Sequence, residues 1–259
     1  MNRRYGVVRD TPDHRDRGVF RLAPPVLLPA AVNLEEYLGP VKDQGQEGSC
    51  FAFAGAGQRE FLYRRYEQNE KAQHLVSADA VFSAQYLFYR VHEMEGTLND
   101  DCGGQLRSVA KTLNATGICL EKSDSYNLAA AWTAPTSTQD AEARLFEAGA
   151  YHRLTTVDDM KSCLASGYTF IAGFAVYESF EGKQWLAGGV MPIPRSKEAL
   201  LGGHAVLFFG YDDDRQAFKV RNCWGESWCL GGNFWFPYRA AADSNILWDA
   251  WIQHLGKAW

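Results

Sequence analysis

Cys50 follows a glycine-punctuated stretch, Gln44-Gly45-Gln46-Glu47-Gly48-Ser49, and opens an apolar run, Phe51-Ala52-Phe53-Ala54. That order reads as a loop delivering a thiol to the first turn of a helix. The partial positive charge of a helix N-terminus favours thiolate over thiol, and the thiolate is the nucleophilic form. Gln44, six residues upstream, is placed to fold its amide back toward the sulfur. Two later stretches offer partners: Gly202-Gly203-His204-Ala205-Val206 and Lys219-Val220-Arg221-Asn222-Cys223-Trp224-Gly225. A cysteine, a histidine and an asparagine in that order suit a nucleophile, its proton partner and a group that orients the imidazole. Singly, each has a plainer reading. Buried cysteines are ordinary core residues, a histidine before an apolar strand is usually a satisfied buried side chain, and an asparagine at a strand end is usually a turn or cap. The three together, each with flanking glycines and tryptophans, outweigh those readings.

The elements that must position these groups change character along the chain. Apolar residues continue from Cys50 to about Tyr66 as one long buried helix, with Ala52, Ala54 and Ala56 permitting close packing. Val76-Ser77-Ala78-Asp79 reads as the cap of a second helix over residues 80–89, and residues 106–113 form a third. Residues 127–143, rich in Ala, Thr, Ser and Pro, read as a crossover. Beyond a short helix at 158–165, strand-like runs dominate at 169–176, 204–211, 217–222 and 233–236, with a final strand or turn at 248–252. A helical half followed by a β half is an α+β arrangement.

Size and composition fit one large domain or two small ones with a full core: 259 residues, 46% hydrophobic and 22% charged. A net charge of −5 gives no reason to expect nucleic acid or an anionic membrane as partner. No apolar run approaches a membrane span, and the basic start Met1-Asn2-Arg3-Arg4 has no apolar stretch behind it to make a secretory signal. No CxxC or HxxxH spacing supports a metal site, and hydrolysis through a cysteine and its histidine partner calls for neither a metal nor an organic cofactor.

The three motifs resemble those of the papain-like cysteine peptidases. The matching residues are Gln44, Gly45, Gly48, Ser49 and Cys50; His204, Ala205, Val206, Gly210 and Tyr211; and Lys219, Asn222, Trp224, Gly225 and Trp228. Cys50 and His204 are 154 residues apart, slightly more than the family's usual spacing of about 130–150, so longer loops are expected. The resemblance extends from about Val32 to Tyr238. It implies a two-lobe fold, with a helical lobe over residues 32–145 carrying Cys50 and an antiparallel β-barrel lobe over 146–259 carrying His204 and Asn222, the cleft lying between them. It implies a Cys50 thiolate and His204 imidazolium pair, Asn222 orienting His204, and Gln44 in the oxyanion hole. Gly103 and Gly104 would pair with substrate backbone, Ala205 would floor a side-chain pocket, Trp224 would shield the His–Asn hydrogen bond, and Trp228 would lie on the leaving-group side. The partner implied is a peptide or protein substrate, met by a monomer. Transamidase, deamidase or isopeptidase chemistry on the same residues is an alternative, as is a silent binding module.

Some positions depart from the family pattern. Phe51 replaces a tryptophan, Cys223 a serine or threonine, and Cys229 a glycine. Glu47 stands where secreted members carry a disulfide-bonded cysteine, which leans toward a reducing compartment or disulfide-independent folding. Pairing among Cys102, Cys119, Cys163, Cys223 and Cys229 stays open, as does localisation: cytoplasmic, or exported without a visible signal. Residues 1–31 form an N-terminal extension or short pro-segment. Its stretch Tyr5-Gly6-Val7-Val8-Arg9-Asp10-Thr11-Pro12-Asp13-His14-Arg15-Asp16 is similar to the start of many bacterial members. A strap along the surface is the favoured reading for it, with inhibition by occupying the cleft the other.

Overall fold

The computed structural model describes residues 4–16, 28–67, 77 and 79–255. Three helices build the first half: α1 (Cys50–Leu62), α2 (Ala84–Glu95) and α3 (Leu106–Ala115). Helix α1 is buried along nearly its whole length because it lies between the other helices and the sheet. Its small residues allow this. A Cβ added at Gly55 would come within 2.4 Å of Val109 and 2.8 Å of Leu87, so α2 and α3 approach α1 at a distance only glycine tolerates. A π-helical turn over Tyr63–Glu67 ends α1 near the boundary expected from its apolar pattern.

The second half is an antiparallel sheet of seven strands. Strands β4 (Tyr151–Leu154), β5 (Phe170–Tyr177), β6 (Leu200–Asp212), β7 (Ala217–Arg221), β8 (Asn233–Pro237) and β9 (Leu247–Gln253) run in the order β4-β9-β5-β6-β7-β8. Strand β2 (Ala31–Asn33) adds to β6, pairing Val32 with Tyr211. The chain therefore enters the β half before it builds the helical one. Strand β5 is buried along almost its full length, which explains its unbroken apolar sequence, Phe170-Ile171-Ala172-Gly173-Phe174-Ala175-Val176. This α+β, two-lobe arrangement is the one the sequence implies.

Several local expectations shift. Helix α2 starts at Ser83, whose side chain accepts the Tyr86 N–H, and not at Ser77–Asp79, where Ser77 opens a turn instead. The stretch read as a crossover contains α4 (Ser137–Ala143), held by a reciprocal capping box between Thr136 and Gln139. The helix read at 158–165 is α5 (Val157–Ala165), with its own capping box from Thr156 and Asp159. Residues 248–252 form a true strand. Residues 17–27 of the N-terminal extension, and residues 76 and 78, lie outside the described residues.

The N-terminal stretch makes its own small sheet. Strand β1 (Val7–Val8) pairs in parallel with β3 (Gly104–Gln105), matching Val7 to Gly104 and Val8 to Gln105.

Candidate active site

Cys50 is the first residue of α1 and is fully buried. Ser49 does not cap the helix with its side chain. Its carbonyl accepts from Ala52 and Phe53 N–H, and its hydroxyl lies 2.8 Å from the Tyr126 hydroxyl. The Cys50 sulfur is ringed by backbone donors. Ala205 N–H donates to it at 3.4 Å, and Gly6, Phe51 and the Cys50 N–H pull in the same direction. These favour a thiolate, yet burial outweighs them and pushes the thiol up to about 11. In this arrangement burial favours the thiol form of Cys50 over the thiolate.

His204 lies in β6 and Asn222 directly follows β7, both buried. His204 Nε2 is 2.8 Å from Asn222 Oδ1. The same Oδ1 accepts the Cys223 backbone N–H at 2.8 Å. A backbone N–H only donates, so this atom is the amide oxygen and His204 Nε2 is the nitrogen carrying hydrogen. The imidazole thereby presents Nδ1 on its other side. The Trp224 ring lies 4.9 Å from the His204 ring, tilted against it. Trp228 sits behind it, 5.2 Å from Trp224 and 6.1 Å from Phe180, within an aromatic cluster that also holds Trp185 and Phe234.

Gln44 is buried and its amide is fixed at both ends. Oε1 accepts from Trp224 Nε1 at 3.2 Å and from the Cys223 thiol at 3.0 Å. Nε2 donates to the Glu47 carbonyl at 2.7 Å and, at 3.3 Å, to the carbonyl of Arg4. The second bond comes from the N-terminal stretch, which runs through this site. Gly6 carbonyl accepts Gly104 N–H at 3.0 Å. A Cβ on Gly6 would fall 1.6 Å from the Gly48 carbonyl, and one on Gly103, whose φ is +82°, would fall 2.6 Å from the Gly6 carbonyl. Backbone here lies directly on backbone. Tyr5 stands edge-on to His204 at 6.1 Å and donates its hydroxyl to Glu181. Val7 is buried against Gly203. The structure thus gathers Gln44, Cys50, Gly103, Gly104, His204, Ala205, Asn222 and Trp224 around one short length of the chain's own backbone.

A model of the papain family of cysteine proteases matches residues 28–249. The chain belongs to that family. It is a cysteine-type peptidase, a hydrolase acting on peptide or protein substrates. Xylellain, a cysteine protease from Xylella fastidiosa, is similar in structure with a TM-score of 0.88 and 30% identity, over 99% of this chain and 97% of that one. An uncharacterised peptidase C1-like protein of Acanthamoeba polyphaga mimivirus is 30% identical over 97% of this chain and 87% of its own length. Digestive procathepsin L 3 of Tenebrio molitor shares the fold at a TM-score of 0.70 and 16% identity, over 98% of this chain and 76% of that one. The papain-like resemblance read from the motifs is the family the chain belongs to.

In this peptidase no disulfide forms among the six cysteines, all within the described residues. In place of the family's staple at position 47, Glu47 is buried beside the nucleophile loop. The Tyr126 hydroxyl lies 2.9 Å from Glu47 Oε2 and 2.7 Å from the Gln44 carbonyl, joining residues 44, 47 and 49 into one network. Burial, with the nearby Asp101 charge adding to it, pushes the Glu47 carboxyl up to about 7 despite the Tyr126 bond. Asp101 accepts the Gly48 N–H at 3.1 Å and pairs with Arg4 at 2.8 Å. Tyr126 and Asp101 are structural partners of the site that the motifs did not reveal. Asp101 adjoined a recognised Gly-Gly edge, and that adjacency was its only sequence signal.

The rest of the N-terminal stretch is bound by charge. Asp10 is buried, accepting from Trp251 Nε1 at 2.7 Å and from Arg107 N–H at 3.1 Å, while its own N–H donates to Asp249 at 2.6 Å. Asp16 pairs with Arg107 at 2.5 Å and with Arg153 at 3.2 Å, and Arg153 also pairs with Asp249. Residues 4–8 thus lie in the cleft and residues 9–16 on the body beside it.

Proposed function

We propose that this chain is a cysteine endopeptidase held latent by its own N-terminal stretch. The observation that carries the reading is a peptide already bound at the reactive groups: Arg4 carbonyl on Gln44 Nε2, Gly6 N–H at the Cys50 sulfur and Gly6 carbonyl on Gly104 N–H. In the released enzyme an extended substrate takes this place along the Gly104 edge. Loss of the covering segment lets water and the helix terminus act on Cys50, and His204 Nδ1 takes the thiol proton. The thiolate attacks the scissile carbonyl, whose developing negative charge meets Gln44 Nε2 and the Cys50 N–H. Imidazolium His204 then gives its proton to the leaving amine. Water, deprotonated by the same imidazole, hydrolyses the thioester and restores the thiol. Asn222 keeps Nε2 as the hydrogen-bearing nitrogen, so that Nδ1 faces the chemistry.

The stretch inhibits without being consumed because it offers the sulfur a donor hydrogen from Gly6. The test is alkylation by a peptidyl vinyl sulfone, followed by intact mass and peptide mapping, on the full-length chain and its Gly6→Ala variant. Slow labelling of Cys50 in the parent and fast labelling in the variant is expected, with peptide hydrolysis following the same order. Equal rates would refute latency. Labelling without hydrolysis, but with acyl transfer to an added amine, would make the chain a transferase.

A further inference from the structure

We propose that Tyr126 is a positioning residue for the oxyanion hole, and that it acts so only while the Glu47 carboxyl carries a proton. The inference rests on the peptidase reading above. Its foundation is a count of hydrogens around one oxygen. The Tyr126 hydroxyl lies 2.7 Å from the Gln44 carbonyl, 2.9 Å from Glu47 Oε2 and 2.8 Å from Ser49 Oγ. A phenol has one hydrogen to give and lone pairs with which to accept. The Gln44 carbonyl can only accept, so the Tyr126 hydrogen goes there. The other two contacts become hydrogen bonds when Ser49 and Glu47 both donate to Tyr126. A carboxylate has no hydrogen to donate, whereas an un-ionised carboxyl has one. All three bonds together therefore require a neutral Glu47.

The surroundings favour that form. Burial, with the Asp101 charge adding to it, raises the Glu47 carboxyl to about 7, and burial keeps the Tyr126 phenol un-ionised. On the nucleophile loop itself, Asp43 is turned to the Gly45 N–H. On the far side, the Cys223 thiol faces Tyr126 and adds to the same effect on the phenol. Arg4 is the cation paired with Asp101. When the N-terminal stretch leaves, the uncompensated Asp101 charge favours un-ionised Glu47 further.

Gln44 is the residue that gains. Its N–H donates to the Cys223 carbonyl at 2.9 Å and its carbonyl is held by Tyr126. Its Nε2 gives one hydrogen to the Glu47 carbonyl at 2.7 Å, which leaves the other for the hole. Tyr126 is itself braced, its N–H donating to Glu121 at 2.9 Å and its ring standing edge-on to Phe53 of α1 at 4.8 Å. When Glu47 ionises, the Tyr126 hydrogen turns to the carboxylate, the stronger acceptor, and the Gln44 carbonyl is released. The sequence departure at position 47 acquires a purpose here. In place of a covalent staple beside the nucleophile, this chain has a staple of hydrogen bonds that loosens when one proton is lost.

The experiment compares two reactions of Cys50 between about pH 5.5 and 8.5. Hydrolysis of a fluorogenic peptide needs the oxyanion hole, and alkylation by iodoacetamide needs only the thiolate. Both are measured on the full-length parent and on full-length Gly6→Ala, in which the N-terminal stretch cannot settle as it does here. The ratio of kcat/KM to the alkylation rate cancels the Cys50–His204 titration, which the two reactions share. That ratio is expected to fall about tenfold as pH rises through 7. Adding Tyr126→Phe should lower it about tenfold at acid pH, through kcat with KM little changed, and remove the dependence on pH. Adding Glu47→Gln, whose amide nitrogen donates at every pH, should carry the acid-side ratio through to alkaline pH. A ratio that is flat with pH before either substitution would overturn the proposal. So would a Tyr126→Phe variant that slows hydrolysis and alkylation alike, the mark of lost structure. The peptidase reading fails separately, by absence of hydrolysis from both the parent and Gly6→Ala. The infrared difference spectrum of the parent and Glu47→Gln at about pH 6 decides this proposal without turnover. A band of un-ionised carboxyl that shifts in Tyr126→Phe is expected, and its absence would overturn the assignment.

Discussion

The N-terminal stretch is held in two ways along its length. Residues 4–8 lie in the cleft and are gripped by backbone: Gly6 on Gly48, Gly6 carbonyl on Gly104, and β1 beside β3 over two residue pairs. Residues 10–16 lie outside it and are gripped by charge: Asp10, Asp16, Arg107, Arg153 and Asp249 around Trp251. Backbone contact at van der Waals distance is selective for shape and has no tolerance for an added atom. A partly buried charge cluster is strong but tolerant of small displacements, provided no member is left unpaired. For the proposed latency, the difference teaches where one added atom should abolish it and where a change should only weaken it.

The comparison can be broken most completely at the sulfur. Cys50→Ala is expected to remove turnover altogether while leaving both grips and the melting temperature nearly unchanged. Retained hydrolysis would mean that the nucleophile lies elsewhere. Asn222→Ala should lower kcat by a smaller factor, on the order of tenfold to a thousandfold, because it loosens the imidazole without removing a reacting atom. A loss equal to that of Cys50→Ala would assign Asn222 a larger part.

Next comes the backbone grip. Gly6→Ala puts a carbon 1.6 Å from the Gly48 carbonyl, so the cleft section must shift while the charged section stays. Cys50 alkylation is expected to accelerate at least tenfold with little change in thermal stability. The charged grip should answer differently. Asp16→Asn leaves Arg107 and Arg153 short of a carboxylate, and a loss of about 1–3 kcal/mol in stability is expected from chemical denaturation, with a smaller gain in alkylation rate. If Asp16→Asn opens the cleft more than Gly6→Ala does, the assignment of the two grips is reversed.

The smallest effect concerns pH. The Glu47 carboxyl is raised from 4.5 to about 7 in the folded chain, so the folded state holds that proton more tightly than the unfolded one. Its stabilising contribution is complete below about pH 4.5 and is lost as pH rises through 7. Glu47→Gln, neutral throughout, escapes the loss. The stability of Glu47→Gln relative to the parent should therefore climb between pH 4.5 and 7.5, by at most about 3 kcal/mol. Burial holds His254 down to about 4, which works in the opposite direction at acid pH, but it is common to both chains and cancels in the difference. A flat difference would show that Glu47 is not protonated in the folded protein.

The groups that the structure gathers at the candidate site were legible in the sequence because their signals are local. The glycine turn before Cys50, the apolar strand after His204 and the tryptophans after Asn222 each lie within a few residues of the group they position. The β half was legible from its apolar runs, although β4, four residues long and mostly half-buried, left too short a pattern. Helix α4 was lost to composition: Thr136 and Gln139 spell a capping box, but their Ala-, Ser- and Pro-rich surroundings read as a linker. The start of α2 was misplaced because Ser77 and Ser83 both resemble caps, and the choice falls to Phe82, which bridges to Leu120 and keeps the chain extended up to Ser83. The course of residues 4–16 could not be read, because Asp10 meets Asp249 across 239 positions and Gly6 meets Gly48 with no periodicity to announce it. Only the glycine itself hinted at close approach.

Strand β2, which ties the chain to β6 just after the N-terminal stretch, has a kinetic consequence. If residues 4–8 inhibit as proposed, inhibitor and enzyme are one molecule, so reclosure is first order and independent of protein concentration. A tethered segment meets its site at an effective concentration in the millimolar range or near it. The tether therefore adds to the backbone and charged grips an advantage in occupancy that the same peptide added in solution would lack. A single cut in the chain between Asp16 and β2 would convert that occupancy into an ordinary dissociation equilibrium. From then on, dilution alone would free the cleft.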